Sequence, residues 1–401
     1  MRMLLPGLDM LDHRKHIAFL TSVVKAQYGR EVSAEDEYVA RVRDVAVRHL
    51  APITPVHGAV NRPLVKAIGD HGLLQDVIDG TATQLCLLRE TLATVSTEAE
   101  TALALQGLGS SPIVLHGHPA TKQRWLPGVS IGDVVAGFAL SEAEAGSDAA
   151  ALALQAEPEG EGWRITGEKL WISNAPEADV YSVFARTTPD ARAKGVTGFA
   201  VAGDSPGLSG EPLDMVAPHA IGRLTFDGVR VEREDVLGDV DRGFAVAMGT
   251  LDRFRPSVGA FAVGMAQAAL DAALDWATTR KVYGDVLVHQ QSVEHVLAEM
   301  ATRVQASRLL VRAAAASYDS GAPRAEITSS AAMAKLFATE SAQWVVDQAV
   351  QLHGARGLQR GHLLERLYRE VRAPRIYEGA SEVQRTIIGR GLVRARQEAD
   401  E

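Results

Sequence analysis

Asp133-Val134-Val135-Ala136-Gly137-Phe138-Ala139-Leu140-Ser141-Glu142-Ala143-Glu144-Ala145-Gly146-Ser147-Asp148 is where the chain changes texture. Before it, from about Ala34 to Ser130, apolar residues recur three or four apart. In residues 85–108, Leu88, Leu92 and Val95 share a face while Arg89 and Glu90 fall off it, which is helical spacing. Pro52, Pro55, Pro63 and Pro112, with Gly69, Gly72 and Gly80, are expected to break this region into several helices. After the change come short runs rich in Val, Phe, Trp and Tyr at 134–140, 163–166, 180–185, 198–202 and 224–231. Gly, Asp, Asn and Pro clusters separate them, and Gly160-Glu161-Gly162 suits a hairpin turn. Strands without intervening helices predict an antiparallel β-barrel or sandwich, not a parallel βαβ sheet. From about Gly243 helical spacing returns. Val293, Val296, Leu297, Met300 and Val304 form one face, and Met333, Leu336, Phe337 and Trp344 the next. The expected class is α+β multidomain: an extension at 1–33 (an extra helix or arm), a helical domain at 34–132, a β-domain at 133–240 and a four-helix bundle at 241–401.

Length and composition agree. A chain of 401 residues, 46% hydrophobic and 23% charged, makes two or three ordinary globular domains. Forty-one basic against fifty acidic residues give a net charge of −9, which argues against nucleic acid or an anionic membrane as partner. The single cysteine, Cys86, leaves no intramolecular disulfide framework and no thiolate zinc cluster, and points to a reducing, cytoplasmic compartment. Charges interrupt the apolar runs, so no membrane span is expected. Asp9, Asp12, His13, Arg14 and Lys15 arrive before an apolar secretory core can form.

Several chemistries lack their motifs. Gly107-Leu108-Gly109-Ser110-Ser111-Pro112 has no third glycine and lies among helices, which disfavours a Rossmann dinucleotide site. There is no P-loop, and none of the twelve histidines forms a His-Glu-x-x-His pair, so no metal site is expected.

Three separated segments remain. The loop 138–148 is small and polar, so its backbone N–H groups can approach a flat heterocycle or a phosphate; an ordinary connection between strands has the same composition. Trp171-Ile172-Ser173-Asn174 sets an indole beside a hydroxyl, which can cover a ring system or simply fill a core. Arg375-Ile376-Tyr377-Glu378-Gly379-Ala380-Ser381-Glu382-Val383-Gln384-Arg385 reads as an extended segment followed by a helix N-capped by Ser381. Glu378, just before that helix, is either a dipole-stabilised surface carboxylate or a base facing a pocket.

In this order and spacing the segments resemble the acyl-CoA dehydrogenase family, over about 34–394. Residues 138–148 are similar to its flavin and substrate loop, and 171–174 to its flavin-flanking strand. Arg280-Lys281-Val282-Tyr283-Gly284 with Gln290-Gln291 resembles the segment that reaches the FAD of a neighbouring subunit. Gln351-Leu352-His353-Gly354-Ala355-Arg356-Gly357 resembles the FAD pyrophosphate loop, and 375–385 the segment of the catalytic glutamate.

The resemblance implies a homotetramer, or a dimer of the same type, binding FAD between β-domain and bundle. Glu378 would remove the α-proton of an acyl thioester while a β-hydride passes to flavin N5. Burial would strengthen that base, and the Glu378 N–H with an FAD ribityl hydroxyl would hold the thioester oxygen. Cofactor contacts would come from Phe138, Leu140, Ser141, Gly146, Ser147, Trp171, Ile172, Ser173, Arg280, Tyr283, Gln290, Gln291, Gln351, Leu352, His353, Gly354, Ala355, Ala380, Ser381 and Glu382. Ser147, Asp252, Arg255 and Gly379 would touch substrate. Electrons would pass to an electron-transfer flavoprotein.

The departures are mild. Ala143, Ser173, Ala355, Glu370 and Ala380 stand where the family usually has Pro, Thr, Gly, Asp and Thr. Subfamilies with the base on the first bundle helix carry Leu-Asp-x-Glu-Arg; here the stretch is Leu251-Asp252-Arg253-Phe254-Arg255, and Phe254 cannot be a base. Residues 101–113 predict an apolar acyl pocket without fixing its length. A substrate on acyl-carrier protein fits the sequence as well as acyl-CoA. Monooxygenases of this fold lack the base, oxidases are longer, and DNA-associated relatives carry a basic region.

Overall fold

A computed structural model describes residues 33–400; the expected N-terminal arm lies outside them. Six helices come first: α1 (Ala34–Val45), α2 (Arg62–Asp70), α3 (Leu73–Asp79), α4 (Ala82–Val95), α5 (Thr97–His116) and α6 (Pro119–Ser130). Side-chain oxygens start several of them, as N-caps do. Ser33 and Asp36 form a capping box on α1, and Asn61, Thr81 and Ser96 accept from the first turns of α2, α4 and α5. Ser96 divides α4 from α5, so residues 85–108 are two helices. Pro112 does not break the chain as expected; it lies inside α5, as Gly69 lies inside α2. Residues Ser110 to Ile113 are buried, and tertiary packing there outweighs one missing backbone hydrogen bond.

The β-domain holds β1 (Ala136–Ala139), β2 (Gln155–Glu159), β3 (Gly162–Ser173), β4 (Val180–Arg186), β5 (Val196–Ala202), β6 (Leu208–Pro212), β7 (Ile221–Val231) and β8 (Val236–Leu237). Their order is β6-β7-β3-β2-β4-β5-β8, with β1 added against β4. The hairpin at Gly160-Glu161 pairs β2 with β3 as its turn residues predict. The antiparallel expectation needs one correction: β1 runs parallel to β4, and β2 touches β4 in parallel at Gln155 and Arg186. A long excursion through the 140–154 loop and the β2–β3 hairpin separates β1 from β4, so β1 can enter in the same direction.

The bundle consists of α7 (Gly243–Thr279), α8 (Gln291–Asp319), α9 (Arg324–His353) and α11 (Ser381–Asp400). A small hairpin of β9 (Lys281–Val282) and β10 (Asp285–Val286) follows α7, and a short α10 (Leu363–Glu370) precedes α11. Among the described residues α7 alone is long and apolar enough to cross a membrane, contrary to the expectation that charges interrupt every run. Most of its apolar window is buried inside the fold. The α8 face reads as expected, since Val293, Leu297, Met300 and Val304 are buried. The α9 face does not. Ala331, Ala334, Ala338, Ala342 and Val345 are buried, whereas Met333 and Phe337 are exposed. Small residues let α9 lie close to α7, Met333 and Phe337 turn outward, and Leu336 and Trp344 are half-buried. One core runs from the first helices through the sheet into Val246, Leu251 and Phe254 of α7, and a second fills the bundle. Phe254 is fully buried.

Candidate active site

The turn between α10 and α11 carries Glu378. It is not the extended segment expected: a 3-10 turn at Ala373–Arg375 leads into it, and Tyr377 N–H donates back to the Ala373 carbonyl at 3.2 Å. Glu378 (φ 50°) and Gly379 (φ 94°) are both left-handed. That region costs a non-glycine residue about 1–2 kcal/mol. Gly379 has a second reason to be glycine, since a Cβ there would lie 2.4 Å from Gln384 Nε2. Ser381 is not a cap but the first residue of α11; its hydroxyl donates to Glu340 at 2.6 Å. Ala380 is half-buried and Glu382 exposed.

The turn is tied down by its carbonyls. Gln384 Nε2 donates to Glu378 O at 3.2 Å and Gly379 O at 2.9 Å. Lys335 Nζ donates to Gly379 O at 2.7 Å, and Arg255 Nε to Glu378 O at 3.4 Å. Among the described residues the Glu378 N–H has no partner. Its carboxylate Oε2 is buried and also unpartnered. Burial raises the Glu378 pKa, against the pull of Arg89, Lys335 and Arg255.

Two of those cations escape the sequence reading. Arg89 is not off the apolar face but 2% exposed, its Nε bonded to Glu100 and its Nη1 to Ser257 Oγ at 2.7 Å. Lys335 is buried in the alanine-rich run of α9, and burial lowers its pKa to about 8. Arg255 pairs with Asp252 at 2.8 Å, and Asp252 also accepts from Thr328. Glu100 and Arg89 thus place a buried ion pair beside the base, just before the region expected to give an apolar pocket. Alongside, His219 meets Glu370 at 2.6 Å, and Thr97 donates to the same carboxylate. Burial pulls His219 down, but Glu370 outweighs it and leaves the imidazole above its usual range.

The loop after β1 forms a second surface. Lys169, fully buried, donates to Leu140 O at 2.8 Å and to Glu142 at 2.7 Å. Glu142 in turn accepts the Ala153 and Leu154 N–H groups. These bonds fix the loop from below. Above, Ser141, Gly146 and Ser147 N–H groups have no partner among the described residues, and Gly146 faces open space. Phe138 is half-buried against Phe184. The β3–β7 register shifts between Lys169 and Ile172, and Trp171 sits there at φ 58° with its side chain 48% exposed. That bulge turns Trp171 outward, leaves Ser173 half-buried, and sends Ile172 into the core, so the Ile172 side chain does not face a cofactor. An exposed indole beside free N–H donors fits a flat ring carrying phosphate, and hence FAD.

The remaining cofactor candidates gather at the far end of the bundle. Arg280, Tyr283 (97% exposed), Gln290 and Gln291 lie on the surface around the β9–β10 hairpin. Trp276 joins them to the end of α9: its Nε1 donates to Leu352 O at 3.1 Å and its ring stacks on His353. The guanidinium groups of Arg280 and Arg356 lie over the same ring. Gln351, Gly354 and Ala355 are exposed, and a Cβ on Gly354 would meet nothing. Among the described residues no hydrogen bond joins this patch to the 138–147 loop or to Glu378.

At the start of α7 a groove of about 430 Å³ is lined by His116, Arg242, Asp252, Tyr318 and Arg324. Asp252 is its link to the base, through Arg255 and the Glu378 carbonyl.

Comparison with known proteins bears on the family and the domain architecture. Models of the acyl-CoA dehydrogenase N-terminal, middle and C-terminal domains match residues 33–133, 137–229 and 241–393. The chain is 38% identical over 312 residues to the probable acyl-CoA dehydrogenase FadE25 of Mycobacterium leprae, covering 77% of this chain and 80% of that one. It is 35% identical to the mitochondrial short-chain specific acyl-CoA dehydrogenase of Rattus norvegicus, covering 90% and 88%. The structure of butyryl-CoA dehydrogenase from Megasphaera elsdenii superposes with a TM-score of 0.85 at 30% identity, over 91% of this chain and 99% of the other. Helical domain, β-domain and bundle thus occur in the order and extent of these relatives, and the chain belongs to the acyl-CoA dehydrogenase family, whose members are FAD-dependent oxidoreductases.

Proposed function

We propose that the protein is an FAD-dependent acyl-CoA dehydrogenase that desaturates the α,β-bond of an acyl thioester and passes the electrons to an electron-transfer flavoprotein. The observation that carries this reading is the Glu378 turn: a buried, unpartnered carboxylate oxygen on a residue whose own N–H is free, with the charges of Arg89, Lys335 and Arg255 acting on it. Glu378 takes the α-proton. Burial makes its carboxylate the stronger base, because leaving water disfavours the charged form. Negative charge then moves from Glu378 to the thioester oxygen, where the Glu378 N–H is placed to donate and Arg89, Lys335 and Arg255 remain nearby. Bound FAD supplies the acceptor for the β-hydride at N5.

Leu140, Ser141, Trp171 and Ser173 would hold the ring of that cofactor, with Gly146 and Ser147 offering N–H groups. Arg280, Tyr283, Gln290, Gln291 and the 351–355 loop would hold the FAD of a neighbouring subunit in a homotetramer. The exposed Met333 and Phe337, and the separation of the Trp276 patch from Glu378, support an assembly of that kind. Arg242 and Arg324 in the groove favour CoA over carrier protein, because CoA brings additional phosphates for guanidinium groups to bind. We place the protein in the cytoplasm on its cysteine usage. The test is an anaerobic visible spectrum of the purified protein with a panel of acyl-CoA thioesters. Bleaching of a flavin band by one chain class is expected. A flavin spectrum that no thioester bleaches, on CoA or on carrier protein, would overturn the reading.

A further inference from the structure

We infer that Lys335 is a positioning residue for Glu378: its ammonium fastens the Glu378-Gly379 turn and is the one nearby cation not paired with a carboxylate of its own. The inference rests on Glu378 being the base. Arg89 has Glu100 and Arg255 has Asp252. Among the described residues Lys335 forms no ion pair, and the single hydrogen bond of its ammonium goes to the Gly379 carbonyl at 2.7 Å. The charged groups facing it are Glu378 on the turn, Arg255 on α7, Glu340 on its own helix and Glu382 on α11. Glu340 is engaged by Arg375 at 2.8 Å and by the Ser381 hydroxyl, and Glu382 is exposed beside Arg385. Glu378 is left as the carboxylate that feels the ammonium most directly, since Lys335 follows only Arg89 among the cations that hold its pKa down.

Placement of this lysine has no packing explanation. Ala331, Ala332, Ala334 and Ala338 line the same buried stretch of α9, where an alkyl side chain would avoid the desolvation that lowers the Lys335 pKa to about 8. What the ammonium provides is a charged donor at the backbone of the residue following the base. It acts in two ways. The bond to Gly379 O, with those of Gln384 and Arg255, keeps both residues left-handed and leaves the Glu378 N–H free. The charge favours the ionised form of Glu378, keeping it available to accept a proton at neutral pH although burial pushes the other way.

Two variants of the holoenzyme separate these effects. Lys335→Gln keeps an N–H donor for the Gly379 carbonyl and removes the charge; Lys335→Arg keeps the charge. Flavin content, thermal midpoint and the pH dependence of kcat/KM are measured for both and for Glu378→Gln. For Lys335→Gln the acid limb of kcat/KM should move up by about one pH unit, giving about a tenfold loss below the limb and a plateau within a few-fold of wild type. Lys335→Arg should return the limb to its wild-type position. A wild-type limb in Lys335→Gln, with Glu378→Gln inactive, would overturn the role of Lys335 alone. Activity in Glu378→Gln would remove the base assignment, and this inference with it. Should Lys335→Gln fail to fold, a displaced limb in Lys335→Arg with normal flavin content would equally overturn the inference.

Discussion

Replacing Glu378 by glutamine should separate stability from activity. The carboxylate has one buried oxygen with no hydrogen-bond partner, and burial keeps its pKa above the usual value despite Arg89, Lys335 and Arg255. A buried acceptor left unsatisfied costs about 1–3 kcal/mol, and more when it is charged. Glutamine has nearly the same shape and no charge, so Glu378→Gln should be more stable by an amount in that range at neutral pH. The sign follows from the direction of the shift. A folded pKa above the unfolded one means that stability is full below the unfolded pKa and is lost as pH rises through the folded one. The advantage of the variant is therefore absent in weak acid, grows as wild-type Glu378 ionises, and levels off near neutrality.

Activity should move the other way. Loss of a positioned base costs at least about 10²–10⁴-fold, because the amide cannot accept the α-proton. The assay pairs thermal unfolding of both proteins from pH 5 to 8 with anaerobic flavin reduction by the best acyl-CoA. A variant that is inactive yet more stable, by a margin that widens with pH, is the expected result. An active variant would refute the base. An inactive variant that is less stable at pH 7 would refute the argument from burial, since the carboxylate would then be held by its cations as a structural ion.

Arg89→Met should destabilise the fold by about 3–5 kcal/mol, since Glu100 is left buried without a partner, and Arg89→Met with Glu100→Met should recover most of that loss in chemical denaturation. Gly109→Ala should lower the unfolding midpoint. Its Cβ would lie 2.6 Å from Gly137 N and 2.7 Å from the Ala136 carbonyl carbon, where α5 meets β1, and overpacking of this kind costs about 1–3 kcal/mol. Arg280→Ala should reduce retained flavin and the assembled mass together in gel filtration with absorbance detection; unchanged flavin content would reject its role across a subunit boundary.

Periodicity revealed the domain order because burial imposes it locally. The switch at 133 appears as β1 from Ala136, and the return at Gly243 as the first residue of α7. It failed where a second element decides which face is inside. Met333 and Phe337 have the spacing of a buried stripe, but α7 lies against the alanine side of α9 and leaves them exposed. The parallel entry of β1 depends on the route of a connection, which side-chain alternation does not encode. Glu378, Gly379, Asp252 and Arg255 were legible as motif positions. Arg89, Lys335 and Trp276 were not, since each acquires its meaning from a partner on another element: Glu100 on α5, the Gly379 carbonyl, and the Leu352 carbonyl. The available signal was composition, a lone charge inside an apolar or alanine-rich stretch, where burial without a partner would be prohibitive.

Those partners also explain how a carboxylate can work against a weakly acidic C–H. With Glu378 ionised, three cations face three carboxylates: Arg89 with Glu100, Arg255 with Asp252, and Lys335 beside Glu378. In the proposed reaction Glu378 becomes neutral while negative charge develops transiently on the substrate's thioester oxygen, to leave the substrate with the β-hydride for the acceptor that bound FAD would supply. The site's total charge does not change; the anion shifts from a side chain to the substrate within one low-dielectric pocket. Two of the cations are already matched, so they oppose a change in net charge but gain little from the shift. Among the described residues Lys335 forms no ion pair of its own, so its charge can follow the anion, and the turn that it fastens carries the free Glu378 N–H. Protonation of Glu378 by bulk water would break this balance, which is a physical reason for the base to sit on a turn clamped through its carbonyls instead of on a mobile loop.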